Sequence, residues 1–516
     1  MISALHLVRI GRAGFVFARE GVFGTIDPAV IPPPVRPLVS LVRLIERPSV
    51  GAADTRLSAA FTRLGPSYVK LGQFLATRPD VVGPAAARDL ERLQDQMPPF
   101  PQQEAEAAVA ASFGKPVSAV FSSFGPPVAA ASIAQVHKAE VAGASGPRAV
   151  AVKLLRPGIE GRFYADLRAF NYVARHAESV SAEARRLRFV EVVDTLRRTV
   201  AVEMDFRLEA AALSEMAENT KDDPDFRVPG VDWDRTTKEV LTLEWIDATP
   251  LSDRARLLAK GFDLRKLARA LIQTFLRHAL RDGFFHADMH PGNLFVDDDG
   301  QLIAVDFGIM GRLGTKERLF LAEILHGFIT RDYRRTAEVH FEAGYVPSHH
   351  SVENFAQAIR AIGEPIHNRA AEDISMARLL TLLFEVTGLF DMRTRPELIL
   401  LQKTMVVVEG VARKLDPHLN MWATAEPVVG EWIADNLGPR GRIEDVGRGL
   451  SMLVKLIGEA PPRLERLARW IDAGGLERDA RLIAANARTT ERSVKYAFWI
   501  IAVSLACIAV YLVLHA

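Results

Sequence analysis

Two short apolar runs, Leu294-Phe295-Val296 and Leu302-Ile303-Ala304-Val305, flank Asp297-Asp298-Asp299-Gly300, and no other stretch constrains the fold as tightly. A turn-rich tetrapeptide ending in a glycine that can take positive φ predicts a β-hairpin between the runs. A hairpin fixes what stands at its open end. Asn293 immediately precedes the first run and Asp306 immediately follows the second, so folding brings an amide and a carboxylate together. Both offer the hard oxygen ligands that Mg²⁺ prefers, and a site with so few protein ligands leaves room for phosphate oxygens.

The flanking residues extend this reading. In His286-Ala287-Asp288-Met289-His290-Pro291-Gly292-Asn293, Asp288 and Asn293 stand at the D-x-x-x-x-N spacing of a kinase catalytic loop, and Asp306-Phe307-Gly308 spells the metal-binding triplet. ATP and Mg²⁺ are the expected cofactors, Asn293 and Asp306 the metal ligands, and Asp288 faces the attacking group. Phosphoryl chemistry also needs a lysine on the α and β phosphates, held by a carboxylate. Val150-Ala151-Val152-Lys153 supplies it on a strand whose alternation sends the two valines to one face and Lys153 to the other. Glu209, on a long helix expected over Phe189–Asn219, is its best partner. Asp288, Lys153 and Glu209 are thus the catalytic candidates. His286 is expected to brace the loop by hydrogen bonding and His290, before Pro291-Gly292, to shape its turn. Glu239 to Ile246 is placed like a hinge strand, with Glu244 and Ile246 beside adenine.

The 64 Lys and Arg nearly balance the 63 Asp and Glu, so no global basic field recruits nucleic acid, and that class is set aside. The single cysteine, Cys507, allows no intramolecular disulfide and fits a reducing compartment. Tyr496 to Leu514 is a charge-free run of 19 residues. As a helix it would be about 28 Å long and is read as a membrane span. Arg488, Arg492 and Lys495 precede it, which orients the bulk of the chain to the cytoplasm. Arg440 to Lys495 holds twelve basic against eight acidic residues, a net of +4 that suits weak attraction to anionic lipid. Met1 to Glu20 lacks the uninterrupted apolar centre of a secretory signal and reads as a first helix. Ile31-Pro32-Pro33-Pro34 closes an N-terminal extension, and Met97-Pro98-Pro99-Phe100-Pro101 ends a helical block from about Ser58 to Gln96. Strand-like runs follow at Val128 to Glu140 and Ala149 to Leu155, joined by a turn from Ala142 to Pro147, and another at Glu239 to Trp245.

Kinases cover the phosphates with a glycine-rich loop; here the equivalent place reads Ala129-Ala130-Ala131-Ser132-Ile133-Ala134-Gln135-Val136, with Ala129, Ala131 and Ala134 where glycines would stand. Lys70-Leu71-Gly72-Gln73, Glu203-Met204-Asp205 with Glu209 six residues on, Leu93 to Phe100 and Leu400 to Met405 complete a pattern similar to the UbiB/ADCK atypical kinase-like family. The resemblance runs from about Arg63 to Pro417. It implies an α+β, protein-kinase-like two-lobed fold with an added N-terminal helical KxGQ segment folded over the cleft and a C-terminal transmembrane helix. The expected organisation is an N-terminal extension (1–50), the helical KxGQ segment (51–125), an N-lobe (126–247), a helical C-lobe (248–425), a juxtamembrane segment (426–495) and the span (496–514). The resemblance also implies that Ala129 to Val136 bind ATP with Lys153, Glu244 and Ile246, and that Lys70, Gln73, Glu203 and Asp205 regulate the site. The function implied is a membrane-anchored ATPase or atypical kinase supporting ubiquinone biosynthesis, with membrane lipid, polyprenylated quinone precursors and other ubiquinone-biosynthesis proteins as partners, and a homodimer left open. The bacterial inner membrane, or the mitochondrial one in a eukaryote, is its expected place. No G-x-G-x-x-G fingerprint for flavin or NAD is present, which argues against direct hydroxylation. A small-molecule phosphotransferase and a non-catalytic nucleotide-binding scaffold are the alternatives.

Overall fold

The computed structural model describes residues 4–22, 46–47, 55–76, 78–93, 97–143, 146–180, 182–367, 386, 389–392 and 396–437. Alternating valines make the first sheet. Strands β1 (Ser123–Ala130), β2 (Ala134–Gly143) and β3 (Gly146–Leu155) and, after the two-residue β4 (Phe226–Arg227), β5 (Val240–Glu244) include a four-stranded antiparallel sheet in the order β1-β2-β3-β5. Val150, Val152 and Leu154 are fully buried on one face, where Ala139, Val141 and Val240 join them under Phe100, Ala105, Val109 and Phe121. The segment before Pro126, expected in a separate helical segment, therefore contributes the helix Gln102–Phe113 to the core of this sheet. The single run expected from Val128 to Glu140 divides into β1 and β2 because Ala131 N–H turns back onto the Ala134 carbonyl at 2.8 Å.

The helix expected over Phe189–Asn219 is two helices, Phe189–Glu203 and Phe206–Asn219. Asp205 causes the break. Its backbone is extended (φ −120°, ψ 93°) and its carboxylate caps the second helix by accepting from Arg207 N–H at 3.1 Å. Glu209 is thereby set in the first turn of a new helix. The 22-residue helix Ile159–Val180, not foreseen in the sequence, connects β3 to this pair, and the helix Ala4–Arg19 pairs with it through Arg9 and Asp166.

Lys70 rides on the helix Pro66–Ala76, which packs with Arg56–Leu64 around Phe61, Leu64, Tyr68, Leu90 and Leu93. Gly72 lets that packing close. A Cβ there would fall 2.3 Å from Leu93 Cδ1 and 2.5 Å from Phe61 Cδ2, too near for any side chain without displacement. Gly72→Ala is expected to destabilise the protein by about 1–3 kcal/mol through overpacking, read as a lowered Tm; an unchanged Tm would mean that the helix does not pack on Phe61 and Leu93.

After β5 the described chain is mainly helical. Its small sheet has the order β4-β9-β8-β6, with β6 (Thr249–Pro250), β8 (Leu294–Val296) and β9 (Leu302–Ala304), and β7 (Phe284–His286) pairs with β10 (Met310–Arg312). The helix Leu264–Arg277 runs through the centre with Leu267, Leu271, Ile272 and Phe275 buried, and the helix Pro396–Leu415 packs along it. Among the described residues no helix is long and apolar enough to cross a membrane. The run Tyr496 to Leu514, the basic stretch from Arg440 to Lys495 and the Ile31 to Pro34 segment lie outside the described residues.

Candidate functional site

The register of β3 delivers the lysine. Val152 is buried in the sheet's core, so Lys153 projects from the opposite face toward the helix that begins after Asp205. There its ammonium lies 2.8 and 3.1 Å from the two Glu209 oxygens, 2.9 Å from Asp306 Oδ1 and 5.5 Å above the Phe206 ring. Burial works against the charge on Lys153, but the two carboxylates outweigh it and push its pKa up. For Asp306 burial favours the neutral acid; Lys153 overcomes this, with Lys70 adding to it, and holds the carboxyl well below its usual range. Half of the Asp306 side chain nevertheless remains exposed. Burial pushes Glu209 up, Lys153 opposes that push and Asp306 adds to it. Asp306 has φ +63°, a left-handed conformation that carries strain in a residue with a side chain.

The hairpin forms at β8 and β9, with Leu294 opposite Ala304 and a turn closed by Gly300 N–H on the Asp297 carbonyl at 3.1 Å. Beyond the paired strands Val305 N–H donates to the Asn293 carbonyl at 2.9 Å, which brings Asn293 and Asp306 to one end. The Asn293 amide nitrogen donates to the Asp288 carbonyl at 3.1 Å, and this orientation leaves its side-chain oxygen for a cation. Together with the ionised Asp306, this is a donor set that fits Mg²⁺.

Both histidines work on the backbone. His286 is buried; its Nε2 bonds to the Val305 carbonyl at 3.2 Å and its Nδ1 accepts from Asp288 N–H at 3.1 Å. Burial lowers its pKa, so the neutral imidazole with the proton on Nε2 satisfies both partners. His290 Nδ1 accepts from Gly292 N–H at 3.0 Å and closes the turn. Asp288 is consequently pinned at its N–H by His286 and at its carbonyl by Asn293, while its carboxylate stays 45% exposed, 3.8 Å from His290 Nε2. Thr404 was not among the sequence candidates. Buried on the helix Pro396–Leu415, its hydroxyl lies 3.0 Å from the Ala287 carbonyl and 2.8 Å from that of Leu400, tying the helix to the residue before Asp288. Nothing local in Leu400-Leu401-Gln402-Lys403-Thr404-Met405 marks that contact.

The alanine-rich candidates separate by placement. Ala129 is exposed and Ala130, Ala131 and Val136 are half-buried, whereas Ser132, Ile133, Ala134 and Gln135 are buried. The Gln135 side chain is engaged with Phe100, whose N–H it accepts at 2.9 Å, and with His137 at 2.8 Å. Arg156 donates to the Ala131 carbonyl at 2.9 and 3.1 Å and to Pro98 at 2.8 Å, fastening the turn to the segment that precedes Phe100. Glu244 accepts from Arg227 at 3.1 Å and Gly230 N–H at 3.2 Å, and Ile246 is half-buried in the connector after β5.

Lys70 Nζ lies 2.8 Å from Glu203 Oε2, both side chains about nine-tenths covered, and Gln73 follows on the same helix, half-buried. Asp205 is directed elsewhere: it caps its helix and pairs with Arg207 at 2.7 Å. Lys70, Glu203, Lys153, Glu209 and Asp306 are thus drawn together, and the Asp205 carboxylate is spent on the helix start.

A fold of mixed helix and sheet with a strand lysine held between a helix glutamate and the DFG aspartate is that of a kinase-like protein. Residues 92–340 match the ABC1 atypical kinase-like domain and residues 359–420, which include Thr404, match the UbiB helical domain. The chain is 39% identical over 463 residues, 88% of its length and 84% of the relative's, to a probable protein kinase UbiB of Marinobacter nauticus. It is 38% identical over 431 residues, 83% and 79% of the two lengths, to that of Pseudomonas putida. The chain therefore belongs to the UbiB family, and with it to ubiquinone biosynthesis. A similar solved structure, the Rv3197–erythromycin complex from Mycobacterium tuberculosis, has a TM-score of 0.53 at 26% identity and covers 76% of this chain and 97% of its own.

Proposed function

We propose that the protein is a Mg²⁺-dependent ATPase of atypical kinase type that works at the membrane on polyprenylated quinone precursors. The observation that carries this reading is Lys153 held at 2.8 Å from Glu209 and 2.9 Å from Asp306. Lys153 neutralises the α and β phosphates while Glu209 fixes its position. Asp306 and the Asn293 oxygen hold Mg²⁺, which when bound neutralises phosphate charge. Asp288, fixed through its backbone and open at its carboxylate, orients or deprotonates the attacking group. Lys70 paired with Glu203 supports the idea that the KxGQ helix closes the cleft to a protein-sized acceptor. A similar fold was solved with erythromycin, a bulky small molecule, which favours a small acceptor or cargo. The charge-free run Tyr496 to Leu514 tethers the chain to the inner membrane, with Arg440 to Lys495 facing anionic lipid.

The test is ATP hydrolysis by the purified full chain with and without anionic vesicles and a phenolic quinone-precursor analogue. Hydrolysis that rises with both, and needs Mg²⁺, is the expected result. Nucleotide binding without turnover under every condition would replace this reading with a scaffold, and stoichiometric phosphorylation of the phenol would replace it with a small-molecule phosphotransferase.

A further inference from the structure

The chain carries a further cluster of ligand-type side chains at the head of the helix Val352–His367, formed by residues to which the nucleotide site gives no role. His349 and His350 precede that helix, and Asp391 comes from a segment 41 residues beyond His350. His349 Nε2 lies 3.7 Å and His350 Nε2 3.4 Å from the same oxygen, Asp391 Oδ2. One ligand atom from each residue lies within 4.8 Å of the other two. We propose that His349, His350 and Asp391 bind a divalent cation of the zinc class.

The spacing argues for this. Bonds of about 2.0 Å to a tetrahedral zinc put neighbouring ligand atoms roughly 3.3 Å apart, close to both His–Asp separations. Two imidazole nitrogens and one carboxylate oxygen are borderline ligands that suit zinc better than Mg²⁺ or Ca²⁺. Three protein ligands leave one position open to water.

The scaffold holds the cluster from below. His350 N–H donates to the Pro347 carbonyl at 3.2 Å, and Ser351 Oγ accepts from Asn354 N–H at 3.3 Å, so a turn and a helix cap set the two histidines. The His350 ring lies 5.3 Å from Phe390, which packs at 5.0 Å on the fully buried Phe355. The His349 and His350 rings are only 4.1 Å apart. Asp391 has φ +48°, a backbone state that Asp and Asn tolerate better than most residues. A bound cation would join the start of the helix to the segment carrying Phe390.

The test uses the full chain without a histidine tag, stripped with a chelator and titrated calorimetrically with Zn²⁺. One equivalent bound at micromolar affinity or tighter is expected, with affinity falling at least about ten-fold in Asp391→Asn and in His350→Gln while Tm without metal stays near that of the wild type. Co²⁺ in place of Zn²⁺ should give the intense visible absorption of a four-coordinate centre, lost in both variants. Zn²⁺ affinity unchanged in the variants, or no binding below millimolar Zn²⁺, overturns the proposal and leaves an exposed His–Asp ion pair. Loss of ATP hydrolysis in the wild type would leave this result untouched, because none of the three residues belongs to the nucleotide site.

Discussion

Lys153→Met is expected to abolish ATP hydrolysis and also to lower Tm, and the two losses have separate origins. The ammonium lies between Glu209, whose side chain is 6% exposed, and Asp306, which is half exposed. Removing one partner of a covered ion pair leaves a charge that water cannot reach, at a cost of about 3 kcal/mol; Glu209 bears most of it because Asp306 can still be solvated from the cleft. Burial and Asp306 already push Glu209 up, and without Lys153 the hydrogen bond from the Phe307 backbone N–H is left to oppose them. In the variant its folded pKa stands further above the unfolded value, so stability is greatest at low pH and is lost as pH rises through the folded pKa. The Tm gap between wild type and variant should therefore widen from about pH 5 to pH 8. Lys153→Met combined with Glu209→Gln removes the stranded charge and should recover Tm without recovering hydrolysis. If hydrolysis returns with Tm, Lys153 acts on the fold and not on the phosphates.

The same triad shows what the sequence could reveal. Lys153 was legible because Val150 and Val152 alternate with it, and burying that face leaves the lysine no direction but the cleft. The hairpin was legible because Asp297 to Gly300 suits nothing else, and it predicts the meeting of Asn293 and Asp306 without long-range information. Glu209 was named from the residue pattern, but its geometry depends on a helix break at Asp205 that a continuous helical pattern conceals. The division of Val128 to Glu140 was hidden for a related reason: alanines neither forbid a strand nor announce a turn, and the bond between Ala131 and Ala134 that makes one appears only in the fold. Arg156 on Ala131, Gln135 on Phe100 and Thr404 on Ala287 join residues 25, 35 and 117 positions apart, beyond any local periodicity. Gly72 is intermediate. Its place in a motif was visible, but its reason is the side chains of Phe61 and Leu93.

Asp288→Asn separates chemistry from architecture more cleanly than any other single change. The architecture around Asp288 is held through the main chain, with its N–H on His286 Nδ1 at 3.1 Å and its carbonyl on the Asn293 amide at 3.1 Å. An amide in place of the carboxylate keeps both bonds, the shape and the helix contact that Thr404 makes at Ala287. Asp288 is 45% exposed and its carboxylate lies 3.8 Å from His290, itself about half exposed, so no buried ion-pair partner is stranded and Tm should hardly move. The amide cannot take a proton at neutral pH and does not attract one, so a positioned general base is lost, an effect of roughly 10²- to 10⁴-fold on turnover. Binding of ATP should persist, because Lys153, Glu209, Asn293 and Asp306 are unchanged; with one negative charge fewer beside the phosphates, affinity should if anything rise. The expected pattern is thus near-wild-type nucleotide affinity, wild-type Tm and hydrolysis reduced by at least about a hundred-fold. Full hydrolysis in the variant would remove Asp288 from the chemistry and leave catalysis to Lys153, Asn293 and Asp306. Lost hydrolysis with ubiquinone production intact in cells would instead show that nucleotide binding alone serves the pathway, and would transfer the function to the scaffold reading.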